Sequence, residues 1–324
     1  MDLSGKINKY LVDQLQNLNN INEIRISQED LPGFIYKNLT TSKYRRHSIS
    51  KEYQDHIKNV INVSIKDNKP IPLVWVFGCY KLWRLKESPY ADWAELFFLI
   101  HKINWLKPIL SVYKPGVWFD FFADGIVVPV MNNITKKEMD EYQKSFVDIL
   151  LFIKRHTPNN LQFTLHTLED LYGKESEFQK EFKVNYKKII DQDKISRLVL
   201  SEQQANIIKM NVKSERDLTV DDLHKSQLIF EAFLLSSKRR PYYRTPEKIF
   251  LDSFPIKNTL PIGVTRASTV RFWVGVGVLR KYKDSFIEDI LSVNQLQQTN
   301  LSNYKVTIDG LNGHNFKSIN LIQS

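Results

Sequence analysis

IPLVWVF (Ile71–Phe77), GCYKLWRLKESPY (78–90), ADWAELFFLIHKINWLKPILSVY (91–113) and KPGVWFDFFADG (114–125) follow one another without interruption. The first run is wholly apolar and rich in β-branched and aromatic types. That composition, bounded by breakers, predicts a strand buried on both faces, as in α/β sheets covered by helices. Ser88-Pro89 has the form of a helix start, a hydroxyl followed by proline in the first turn. From Trp93 the apolar residues Leu96, Phe97, Ile100, Ile103 and Leu106 recur at helical spacing. Asp92 and Glu95 fall where a helix dipole favours carboxylates. Pro115-Gly116 ends the helix, and VWFDFFADGIVVPV predicts a strand, an Asp-Gly turn and another strand.

Working towards the N-terminus, residues 6–20 are expected to be helical through Ile7, Leu11, Leu15 and Leu18. Residues 22–48 are expected to be irregular, with a short strand at Glu23–Ser27. Ser48 or Ser50 is expected to cap a helix reaching about residue 66. Towards the C-terminus, Thr135 and Glu138 have the spacing of a capping box ahead of a stripe at Met139, Tyr142, Phe146, Ile149 and Ile153. LQFTLHTL alternates as a strand does. Residues 174–238 predict three helices, and the remainder is β-rich apart from KDSFIEDILS, which is expected to be a short helix. Gly275 and Gly277 alternate with valine and do not have dinucleotide-fingerprint spacing. In a strand they favour close approach of another backbone. The expectation is one α/β domain over residues 1–324, a Rossmann-like mixed sheet flanked by helices. Its parts are N-terminal helices (1–68), a core (69–170), a helical segment (171–240) and C-terminal strands (241–324).

Composition narrows the function. A hydrophobic share of 42% supports a real core. The single cysteine, Cys79, excludes an intramolecular disulfide and a multi-cysteine metal site. The absence of a signal-type or membrane-spanning apolar run leads to the expectation of a soluble cytoplasmic protein with no membrane partner. The formal charge of +10 admits nucleic acid or phosphorylated ligands, but the cations are spread along the chain. The RRPYYR segment (239–244) interleaves cations with aromatics, a pattern that can grip phosphates or stack on bases. The seven histidines have no metal-ligand spacing. Neither a nucleophile elbow nor a P-loop is present.

Ligands of open α/β sheets lie at the carboxyl ends of the strands. The segment after Phe77 carries Lys81, Arg84 and Lys86 ahead of a helix N-terminus. A pocket is therefore expected there, with Lys81 and Arg84 from the loop, Glu95 from the helix, Asp120 or Asp124 from the next strand and Arg266 from a later one. Because Trp93 and Leu96 must pack inward, only one of Asp92 and Glu95 is expected to face the pocket, and Glu95 is one turn deeper. A loop lysine at position 81 is expected to cost little stability when removed.

Over about residues 71–150 the chain resembles the isonitrile synthase family, which includes the fungal spore-wall dityrosine enzyme. The shared order is VWVFGCYK, then SPYADWAE, then Tyr113-x-Pro115-Gly116, then Asp124-Gly125, then a helix with Tyr142. LWRLKE stands where the family has a Ser-Pro-Asn type segment, and Ala123 replaces a serine. The resemblance implies a Rossmann-like synthase that uses an amino acid and ribulose 5-phosphate, with no metal or cofactor. Lys81, Arg84 and Arg266 would bind phosphate, and Lys81 or Glu95 would transfer protons. The alternatives are a basic nucleic-acid-associated protein and a non-catalytic interaction protein on the same fold.

Overall fold

The computed structural model describes residues 3–19, 25–77, 81–84, 90–123, 134–167, 175–199, 219–236, 245–253, 258–265, 275–307 and 320–323, with the isolated residues 132, 170, 173 and 202. Three helices, α1 (Leu3–Asn19), α2 (Leu31–Leu39) and α3 (Lys51–Lys66), precede β1 (Ile71–Phe77). Then come α4 (Lys81–Arg84), α5 (Trp93–Leu110), β2 (Val117–Ala123), α6 (Lys136–Lys154) and β3 (Leu161–Thr167). Two long helices, α7 (Glu175–Ile195) and α8 (Val220–Ser236), lead to β4 (Ile249–Asp252) and β5 (Leu260–Pro261). The chain ends with β6 (Gly275–Tyr282), β7 (Ser285–Ser292), α9 (Val293–Gln298), β8 (Tyr304–Thr307) and β9 (Asn320–Gln323).

The central sheet has the order β3-β2-β1-β4-β5, and every pairing in it is parallel. β1 lies in its middle, as an apolar run without alternation demands. Ile71 pairs with Val117 and Phe77 with Ala123. One face, through Leu73, Trp75, Phe77, Phe119 and Phe121, joins a core that runs from Ile7 to Ile322 and includes α5 and α6. The other face, through Val74, Phe122 and Phe250, is covered by Phe178, Phe182 and Phe233 of α7 and α8. The sheet is thus covered on both sides, and the fold is α/β.

Gly116 sets the turn into β2. It adopts a φ of +73°, and a side chain there would collide with the backbone of Asn160. The Asn160 amide donates to the carbonyls of Leu110 and Tyr113, at 2.9 and 3.1 Å, closing the end of α5 onto the start of β3.

Several elements differ from the sequence expectation. The mixed strand directions sit in a second sheet, β7-β6-β9-β8, in which β6 and β9 are parallel and the other pairs antiparallel. KDSFIEDILS forms β7, not a helix. A tight turn with Lys283 at φ +52° returns it along β6, from Tyr282↔Ser285 to Gly275↔Ser292. Cross-strand pairing, including Arg280 Nε to Asp289 at 2.9 Å, outweighs its local helical pattern. Residues 31–39, expected to be irregular, form α2 with proline in its first turn. Residues 25–27 are not a strand. α5 begins at Trp93, several residues after the Ser-Pro signal, because Asp92 and Glu95 supply a complete capping box. Ser50, one of the two serines expected, caps α3, and Thr135 caps α6 as expected. Of the three helices expected over 174–238, α7 and α8 are described, and most of the intervening stretch lies outside the described residues. Among the described residues no helix is long and apolar enough to cross a membrane.

Candidate active site

The chain leaves β1 at Phe77 and enters α4, whose first residue, Lys81, is fully buried. The Lys81 ammonium lies 2.8 Å from Asp92 Oδ2 and 3.1 Å from Glu95 Oε2, with all three side chains wholly inaccessible. The α5 cap builds this arrangement. Asp92 Oδ1 accepts from the Ala94 amide, and Glu95 Oε2 accepts from the Asp92 amide, each at 2.8 Å. Both carboxylates therefore serve the helix end and the lysine together.

The α6 helix supplies the fourth member. The Tyr142 hydroxyl donates to Glu95 Oε1 at 3.0 Å, and its ring stacks on Phe77 with centroids 5.4 Å apart. Ser145, one turn on, accepts from the Ala91 amide at 2.8 Å and donates to the Tyr142 carbonyl at 2.7 Å. The N-terminus of α5 is thereby clamped to α6.

The electrostatics follow from burial. Burial alone would lower the Lys81 pKa, but Asp92 and Glu95 together outweigh it and hold the ammonium above its ordinary range. Burial drives Glu95 the other way for a carboxyl group, up to about 8, with Asp92 adding to the rise and Lys81 opposing it. The cluster sets an ammonium held protonated beside a carboxyl group whose proton affinity is raised well above the usual carboxylate range. That is the property needed of a general acid or base.

The remaining expected residues are placed differently. Arg84 ends α4, the same short helix as Lys81. Asp120 does not join Lys81 and Glu95. It alternates with Phe119 and Phe121 and so lies on the α7–α8 face of the sheet, with Phe122. There it is buried and accepts from Thr164 Oγ1 and His166 Nδ1, both at 2.6 Å. Lys248 Nζ stands 3.6 Å from its other oxygen. Hydrogen bonding to Asp120 raises the His166 pKa against the opposing effect of burial. Burial lowers that of Lys248 against the pull of Asp120. Asp124, Arg266, Cys79, Lys86 and the 239–244 segment lie outside the described residues.

Sequence reasoning did not find His166, Thr164 or Lys248. The alternation of β3 put Thr164 and His166 on one face, but nothing local paired that face with Asp120. It also passed over Lys102, which α5 buries completely. Its amine donates to the Gly263 carbonyl and lies 4.7 and 4.5 Å from the ring centres of Trp75 and Phe98. Burial, with Arg46 nearby, holds its pKa well below the ordinary lysine range. Among the described residues no group of three or more His, Cys, Asp or Glu is arranged to hold a metal ion.

The chain matches no family model and no curated protein. Its structure is similar to the crystal structure of the PvcA protein from Pseudomonas aeruginosa, with a TM-score of 0.61 at 17% identity. That likeness covers 91% of this chain and 100% of the other.

Proposed function

We propose that the protein is a small-molecule biosynthetic enzyme of isonitrile synthase type, acting on an amino acid and a phosphorylated sugar. Support comes from the motifs over 71–150 that resemble isonitrile synthases, set in a fold whose likeness to PvcA covers 91% of this chain and so extends well beyond them. The single observation that carries the proposal is the Lys81–Glu95–Tyr142 constellation beyond the carboxyl end of β1, where α/β sheets place their chemistry.

Within it, Glu95 is the better proton-transfer group. The two carboxylates keep Lys81 protonated, so Lys81 acts as a positioning cation and Glu95 as the acid–base. Tyr142, bonded to the same carboxyl group, extends the proton path. Arg84 and Arg266 would take the sugar phosphate. Condensation of the amine with the sugar ketone releases water; both carbon–carbon bonds of that carbon then break, and expulsion of the phosphate balances the electrons, so the carbon stays on nitrogen as the isonitrile beside inorganic phosphate, formaldehyde and a hydroxyacetone-level three-carbon fragment.

The test is incubation with a pool of common amino acids and ribulose 5-phosphate labelled at the ketone carbon, with mass spectrometry of the products. A labelled isonitrile is expected from the wild type and not from Glu95→Gln, an isosteric variant whose folding circular dichroism verifies. Absence of any labelled isonitrile with the folded wild type would overturn the proposal.

A further inference from the structure

We propose that the cleft at the outer edge of β4 binds a small primary ammonium, independently of the activity proposed above. β5 pairs with β4 only at Leu251 and Asp252. Before that point α3 takes the place of a neighbouring strand. The Tyr53 hydroxyl donates to the Phe250 carbonyl at 3.1 Å and accepts from the Phe250 amide at 2.7 Å. His56 Nε2 donates to the Lys248 carbonyl at 2.9 Å. A cleft of about 280 Å³ remains beside this junction, lined by Glu52, Tyr53, His56, Thr245, Lys248 and Asn258, among others. One water requires only about 10–15 Å³, and small-molecule pockets begin at roughly 300 Å³. The space therefore suits a compact metabolite.

Two of the lining side chains present buried polar atoms, Thr245 Oγ1 and Asn258 Oδ1, with no hydrogen-bond partner among the described residues. Such atoms are costly to leave unpaired and call for an occupant. The polar lining is biased towards acceptors. Asn258 Oδ1 and the Glu52 carboxylate accept only, and Thr245 Oγ1 can accept. Among the described residues the lining contains one cation, and it is turned elsewhere, because the Lys248 ammonium lies 3.6 Å from Asp120 and 5.0 Å from the centre of the Trp118 ring. Tyr53 and His56, stacked with centroids 5.0 Å apart, add aromatic surface. Acceptors, one carboxylate and aromatic faces together are what an alkylammonium requires.

Ethanolamine is the probe, titrated into the full chain by calorimetry with the His56 ring nitrogens followed by NMR. Saturable binding is expected, weakened at least about tenfold by Glu52→Gln, since a charged hydrogen-bond partner is lost. Thr245→Val and Asn258→Gly should weaken it as well. Glycine suits Asn258, whose φ is +61°, and circular dichroism verifies that each variant folds. Tetramethylammonium, which lacks N–H groups, and ethylene glycol, which lacks charge, should bind much more weakly. No saturable ethanolamine binding, equal binding of either control, or a crystal structure with only bridging waters in the cleft would each overturn the proposal.

Discussion

At the scale of the residue, Lys81 shows what burial does to a loop cation. Sequence reasoning treated it as a side chain whose removal costs little. In the structure it pairs with two inaccessible carboxyl groups, those of Asp92 and Glu95. Lys81→Ala leaves both without their cation, and breaking a buried pair costs about 3–5 kcal/mol. Urea denaturation should show a loss of that size; a loss under about 0.5 kcal/mol would mean that the carboxylates are not held by Lys81.

Glu95 makes a separate prediction with a definite sign. Its pKa rises to about 8 on folding from an ordinary value near 4.3. The folded state therefore holds a proton that the unfolded state releases. Its stabilising contribution is complete below the unfolded value and is lost as pH rises towards 8. Glu95→Gln stays neutral throughout. The wild type should lose stability relative to Glu95→Gln between about pH 4.5 and 8, measured by denaturant titration at several pH values. A constant difference across that window would place the Glu95 pKa in the usual carboxylate range.

At the scale of the element, the N-terminus of α5 is where cap, cluster and second sheet meet. Asp92→Ala removes a helix cap, a loss of about 0.5–2 kcal/mol, and also the closer of the two Lys81 partners. The combined loss should exceed the capping range, and hydrogen exchange should quicken first in the opening turns of α5. From the other side β6 crosses the same helix end. A Cβ on Gly277 would overlap the Trp93 side chain and come within 2.8 Å of the Ala94 nitrogen. Gly277→Ala should therefore destabilise by about 1–3 kcal/mol through overpacking, lowering the thermal midpoint. An unchanged midpoint would show that β6 and α5 have room to separate.

At the scale of the whole molecule, the net charge of +10 is the one global property that points towards nucleic acid. Several of the cations are engaged internally. Lys81, Lys102 and Lys248 are committed to carboxylates, a carbonyl and aromatic rings. Binding driven only by dispersed surface charge should be weak and should vanish between about 50 and 200 mM salt. A duplex-binding isotherm at the two salt concentrations checks this. Tight binding that survives at the higher one, and is lost when Arg239, Arg240 and Arg244 become alanine, would restore the nucleic-acid alternative.

The sequence by itself determined the α/β class, the boundaries of β1 at Ile71 and Phe77, and the cap of α6, and narrowed that of α3 to Ser48 or Ser50. These depend on local signals: an unbroken apolar run, side-chain capping spacing and helical periodicity. Tertiary structure alone decided the strand nature of residues 285–292, the helix at 31–39 and the separation of Asp120 from Lys81. A strand pattern says that alternate residues share a face but not which helices cover that face. Strand alternation alone therefore assigns Asp120 to no particular layer, and its partners Thr164, His166 and Lys248 come from elements that only the fold brings beside it. The same limit applies to burial. Lys81 and Lys102 have the sequence appearance of ordinary solvated cations, and only the packing of α5 against the sheet and α6 removes them from water and changes their proton affinities in opposite directions.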